Sequence, residues 1–193
     1  DGPVSWWHLK RLEVAGGRAC DPSGRPVGKT AGIAFTHSTP SAGLVVEDCV
    51  VHDFDGPGIA FRAGPTPAAG AGVYSGWKVL DCEVYHASTG VTCGGPWPAG
   101  TDPFRFHRDF AVAGCRVHDI GTDGIVLSHC RDGVIERCTA YRTGLGRTRR
   151  SPVGIWFFQA FRCVIQYCES YDNHTSGCTA DGGGFDLDGG AVE

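Results

Sequence analysis

The sequence predicts an all-β chain built as a single-stranded right-handed parallel β-helix, a solenoid whose coils lay short strands into long parallel sheets. Three observations carry this prediction. A frame of residues recurs around five cysteines, a short strand opening on glycine follows each of them, and no segment sustains a helical period.

The cysteines of the frame are Cys49, Cys82, Cys115, Cys138 and Cys168, separated by 33, 33, 23 and 30 residues. Val46, Val79, Val112, Ile135 and Ile165 stand three positions before them, and Val51, Val84, Val117, Ala140 and Ser170 two positions after. This is the alternation of strand interiors. The glycine-led strands are Gly58-Ile59-Ala60-Phe61, Gly90-Val91-Thr92-Cys93, Gly124-Ile125-Val126-Leu127, Gly154-Ile155-Trp156-Phe157 and Gly184-Phe185-Asp186-Leu187. Stacking one coil on the next sets equivalent residues about 4.8 Å apart. The cysteines then form an internal ladder of free thiols that pack as small hydrophobes. Disulfides or metal ligation are the alternative reading, and Cys20, Cys130, Cys163 and Cys178 fall outside the ladder.

We read residues 1–193 as one β-helix domain, with an irregular first coil over 1–43 and about five repeats over 44–190. The chain has no methionine, and its last residues follow a strand-like run without a terminating pattern. A processed or truncated piece is therefore expected, with further coils or another domain of the same chain covering the C-terminal end. A net charge of -4 gives no reason to expect nucleic acid as a partner. No apolar run approaches the roughly 20 residues of a membrane-crossing helix.

The frame over residues 44–190, closing on Asp181-Gly182-Gly183-Gly184-Phe185-Asp186-Leu187-Asp188-Gly189-Gly190, resembles the pectate-lyase-like superfamily of right-handed β-helices, in particular its uncharacterised bacterial members. The resemblance implies a secreted or cell-surface protein that acts on a polysaccharide. The N-T-D, D-D and G-H-G series of polygalacturonases and the arginine and lysine signatures of characterised lyases have no counterpart in this sequence, so the resemblance assigns no catalytic residue.

Candidate site residues come from the alternation itself. With Ile59, Val91, Ile125, Ile155 and Phe185 pointing inward, Ala60, Thr92, Val126, Trp156 and Asp186 form an outward column, and Arg62, Gly94, Ser128, Phe158 and Asp188 a second. Trp156 and Phe158 thus stand one coil from Asp186 and Asp188, whose Cα atoms lie about 6.6 Å apart along the strand. Aromatic rings pack against pyranose C–H faces, and carboxylates act as acid, base or nucleophile at a glycosidic bond. The insertions before the last two glycine strands add His174 as a candidate proton carrier, with Arg147, Arg149, Arg150 and Asp181 as candidate substrate contacts.

Asp181, Asp186 and Asp188 also supply the hard oxygens of a calcium site, the one cofactor considered. A purely structural reading makes the aspartates turn formers and the aromatics the seat of a covering loop. A further outward stripe, His52, Tyr85, His118, Tyr141 and Tyr171, reads as stacking between coils, with a second carbohydrate surface as the alternative.

The functional expectation is a carbohydrate-active protein, glycoside hydrolase or polysaccharide lyase, with Asp186, Asp188 and His174 catalytic. The alternative is a non-catalytic β-helix module that binds glycan or builds a rigid stalk. No phosphate-binding loop lies between a strand and a helix, which disfavours nucleotide chemistry.

Overall fold

The structure is a computed structural model that describes residues 5–17, 30–37, 39–63, 73–95, 102–146, 152–175 and 181–189. Its strands form three all-parallel sheets, stacked coil on coil as a parallel β-helix. The second and third sheets have six strands each, so six coils are present among the described residues. A single 3-10 turn, Pro103–Arg105, is the only helix among them.

The predicted register holds throughout. Val46, Val79, Val112, Ile135 and Ile165 pair in succession in the first sheet. Val51, Val84, Val117, Ala140 and Ser170 do so in the second. Ile59, Val91, Ile125, Ile155 and Phe185 do so in the third, preceded by Ile33. From Val46 to Ile155 these inner residues are fully buried and form one continuous core. Each buried aliphatic side chain contributes about 1.5–3 kcal/mol.

What reads in the sequence as one strand around each cysteine is two strands in different sheets, with the cysteine at the bend. Val45–Glu47 belongs to the first sheet and Val50–Phe54 to the second. The residue before each cysteine makes the bend with a positive φ: Asp48, Asp81, Gly114, Arg137 and Tyr167 lie between 50 and 66°. Side chains rarely adopt this conformation, aspartate more readily than most. The thiol helps to hold the corner. Cys82 Sγ lies 3.2 Å from the Leu80 carbonyl and 3.7 Å from that of Val46 one coil away. Cys49, Cys115, Cys138 and Cys168 repeat the arrangement.

All eight described cysteines are free. Cys130 and Cys163 are not isolated: Cys163 Sγ lies 3.6 Å from the Cys130 carbonyl, and burial pushes the Cys163 thiol up to about 12. Cys20 and Cys178 lie outside the described residues.

The glycine that opens each third-sheet strand has a steric cause. A Cβ on Gly90 would lie 2.3 Å from the Gly124 carbonyl oxygen and 2.3 Å from Val117 Cγ1. On Gly124 it would lie 2.4 Å from the carbonyl oxygen of Gly154, and on Gly154 2.8 Å from that of Gly184. Each glycine thus admits the backbone of the next coil. At the last described coil the core is open: Phe185 is 50% and Leu187 67% exposed, where their partners Ile155 and Phe157 are buried.

Gly90→Ala is expected to destabilise the fold by about 1–3 kcal/mol through overpacking. Gly184→Ala, whose nearest contact would be Ser170 Cβ at 3.3 Å, should cost clearly less. Urea midpoints of the two variants against the parent check the contrast, and equal losses would contradict the steric account.

Candidate functional site

The third sheet carries the predicted columns in the predicted order, although Ala60 is fully buried where exposure was expected. Trp156 is in register with Asp186, and Phe158 with Asp188, across the strands Ile155–Phe158 and Phe185–Asp188. Both aromatics are half-buried. Their ring centroids are 6.3 Å apart with planes at 71°, so the two rings form a corner. One oxygen of each acid is engaged by the following backbone: Leu187 N donates to Asp186 Oδ1 at 2.7 Å and Gly189 N to Asp188 Oδ1 at 2.5 Å. These bonds hold the carboxylates along the strand, Asp186 half-buried and Asp188 exposed.

Four residues outside the predicted columns, Asp123, His129, Phe106 and Gln159, stand around the corner. The Trp156 indole Nε1–H donates to Asp123 Oδ1 at 3.0 Å, and that oxygen also accepts from Val153 N at 3.1 Å. Phe158 meets the ring of buried His129 edge-on at 6.0 Å, and His129 meets Phe106 at 5.2 Å. Burial holds the His129 imidazole below the usual histidine range, with the neighbouring Gln159 side chain opposing it. The buried ring meets Phe158 edge-on and backs the corner. The one sequence signal for Asp123 was its position: among the five glycine-led strands, only Gly124 has an acid before it.

Of the remaining predicted residues, His174 and Asp181 are described. His174 lies on the connection 172–184, where its backbone N donates to the Thr143 carbonyl at 2.9 Å and its side chain is exposed. Asp181 is exposed at the far end of that connection with a φ of 60°. Arg147, Arg149 and Arg150 lie outside the described residues. The calcium reading is not supported: among the described residues no three His, Cys, Asp or Glu side chains are placed to share an ion, Asp181, Asp186 and Asp188 included. The three aspartates sit on two different segments, and two of them are already turned to local backbone amides.

Long connections attach at opposite ends of the third-sheet strands. Residues 64–73 and 95–106 leave the sheet after Ile59–Ala63 and Val91–Gly94, whereas 142–154 and 172–184 enter it before Ile155–Phe158 and Phe185–Asp188. The exits beside the aromatic corner are short turns at 129 and 159–160. The aromatics therefore stand on a strand that exits through a short turn.

On the second sheet, His52, Tyr85, His118, Tyr141 and Tyr171 stack ring on ring at 4.7, 5.2, 4.8 and 5.0 Å, with planes within 11° of parallel. Successive rings cover one another's faces, which leaves edges for solvent and argues against a second sugar platform. Asp53 and Glu13 flank His52, and Asp119 and Glu83 flank His118. Arg142 grips Asp119 through two nitrogens and lies over Tyr141.

No family model matches the chain, and no curated protein matches it. Among solved structures it is similar to the crystal structure of a GH136 lacto-N-biosidase from Eubacterium ramulus, with a TM-score of 0.66 and 18% identity. The match covers 84% of this chain and 34% of that one, so the chain spans about a third of that enzyme's length. At this identity the likeness establishes a shared β-helix fold.

The ladder on the second sheet predicts a pH window for stability. The Asp53 hydrogen bond, helped by Glu13 and opposed by burial, raises the His52 pKa above its unfolded value of about 6.5. That stabilisation is full below about pH 6.5 and is lost as pH rises through the folded value. His118 with Arg116 lowers Glu83, and Arg142 with His118 lowers Asp119, so their contributions are full above about pH 4.3 and fade in acid. Urea midpoints should peak between these limits. His52→Phe, which keeps a ring in the stack, should flatten the alkaline limb and leave the part of the acid limb that Glu83 and Asp119 supply.

Proposed function

We propose that the outward face of the last two described coils is a glycoside-hydrolysing site, in which Trp156 and Phe158 hold a sugar ring and Asp186 and Asp188 perform acid-base chemistry. The observation that carries this reading is the register: an aromatic corner on one coil lies directly against two carboxylates on the next. A pyranose C–H face packs on the indole, and its edge meets Phe158. One carboxyl group then protonates the leaving oxygen, while the other acts as base toward water or as nucleophile at the anomeric carbon. His174 is retained as a candidate proton carrier, and Arg147, Arg149, Arg150 and Asp181 as candidate substrate contacts on the bordering connections. The neighbour that shares the fold is named as a lacto-N-biosidase, which supports a glycoside as the substrate class. Action outside the cell, on a polysaccharide or oligosaccharide, belongs to the same proposal. So does cover of the half-exposed Phe185 and Leu187 by further coils or another domain.

One observation favours a second, non-catalytic reading as a glycan-binding module: the backbone amides of Leu187 and Gly189 already engage both acids, as turn-forming aspartates would be. The two readings separate on the same variants. Turnover is measured on neutral, uronic and sulfated polysaccharides and on lacto-N-biose-terminated oligosaccharides, following new reducing ends and the ultraviolet absorbance of unsaturated uronates. Hydrolysis gives reducing ends without absorbance. Asp186→Asn and Asp188→Asn are expected to lower turnover by about 10²- to 10⁴-fold with little change in affinity. Trp156→Ala should weaken binding about tenfold, or ~1.4 kcal/mol. Both signals together would indicate a lyase, and binding without turnover would favour the module.

A further inference from the structure

We propose that Asp123 is the positioning residue of the sugar-binding corner, setting the orientation of the Trp156 ring through its carboxylate. This inference rests on the reading of Trp156 as a sugar platform and deepens it.

Asp123 is 9% exposed, and its charge makes that burial unfavourable unless it is used. A neutral residue fills its column in every other glycine-led strand: Pro57, Thr89, Val153 and Gly183. The aspartate stands only in the coil that abuts Trp156. There Oδ1 accepts two hydrogen bonds, one from the indole Nε1–H and one from the backbone N–H of Val153. The second bond fixes the end of the connection 142–154 where it enters the strand Ile155–Phe158. The first fixes the ring that this strand carries.

An unanchored tryptophan on an outward face samples several rotamers, whereas stacking on a sugar needs one. A charged acceptor at the far edge of the indole selects that rotamer and leaves the six-membered ring and its faces unengaged by the bond. Together with the perpendicular Phe158 ring, this makes the corner a preformed surface. Asp123 itself touches no substrate. It acts through Trp156.

The test reads the ring without a ligand and then with one. In the ¹⁵N spectrum, the Trp156 Nε1–H signal is identified by its loss in Trp156→Phe. Asp123→Ala is expected to speed the solvent exchange of that proton at least about tenfold, the loss of one well-made hydrogen bond. Unchanged exchange would overturn the proposal. With lacto-N-biose as the probe, Asp123→Ala and Trp156→Ala should weaken binding by similar factors, and the double variant should be no weaker than either alone. Additive losses would show that Asp123 acts elsewhere and would overturn it too.

Asp123→Asn keeps the acceptor oxygen and serves if the alanine variant does not fold. It should retain affinity within about threefold of the parent, less than half of a tenfold step in free energy. A folded Asn variant as weak as Trp156→Ala would overturn the role of the hydrogen bond. If Trp156→Ala leaves probe binding intact, the sugar reading of the site fails, while the exchange result still decides whether Asp123 anchors the ring.

Discussion

Everything in this molecule depends on the parallel ladder that sets each residue beside its own equivalent one coil away. A parallel pair in register places like beside like at about 4.8 Å, so a side chain is acceptable only if it packs against copies of its own kind. The inner columns meet this condition with valine and isoleucine, the corners with cysteine, and the second sheet with flat rings. The glycines meet it differently, by leaving room for a carbonyl of the adjoining coil. No single layer has to form a globular core of its own; the core is the sum of its columns.

The corners show how such a ladder turns. A strand cannot bend through a large angle without at least one residue in an uncommon conformation, and here that residue recurs at the same place in each coil. Aspartate at Asp48 and Asp81 and glycine at Gly114 are ordinary choices for positive φ, but Arg137 and Tyr167 are not. Arg137 is held by the bond from its N to the Gln166 carbonyl one coil away, and its guanidinium lies over the Tyr167 ring. The thiol at the next position adds a weak donor against two carbonyls without widening the corner. Cysteine here is a structural residue, chosen for its size and its S–H.

Much of this was legible in the sequence, because a stacked fold writes its columns as repeats. The inner residues, the outward partners of Trp156 and Phe158, and the ring ladder all follow from alternation and period alone. Other features were hidden for specific reasons. The bend before each cysteine is made by five residues of four types, so no one residue type marks it. Asp123 looks like a turn aspartate until the ring it holds is placed one coil away, a contact spanning 33 positions. His129 and Gln159 sit at a corner where both repeats are shortest, and their burial depends on depth, which periodicity does not report. Asp181, Asp186 and Asp188, close in sequence, are divided between a connection and a strand, which spacing alone does not report.

The equivalence of coils gives the aromatic corner an unusual kind of portability. Its parts are outward positions on adjoining strands plus one residue just ahead of a glycine, and the register of those positions repeats from coil to coil. Moving the whole arrangement one step along the axis would require only side-chain exchanges, with no new loop and no change of register. A solenoid of this kind can therefore relocate a binding corner in increments of one strand spacing, choosing which bordering connection overlooks it. Where the corner sits is then a property of side chains alone, and the scaffold beneath it is indifferent to the choice.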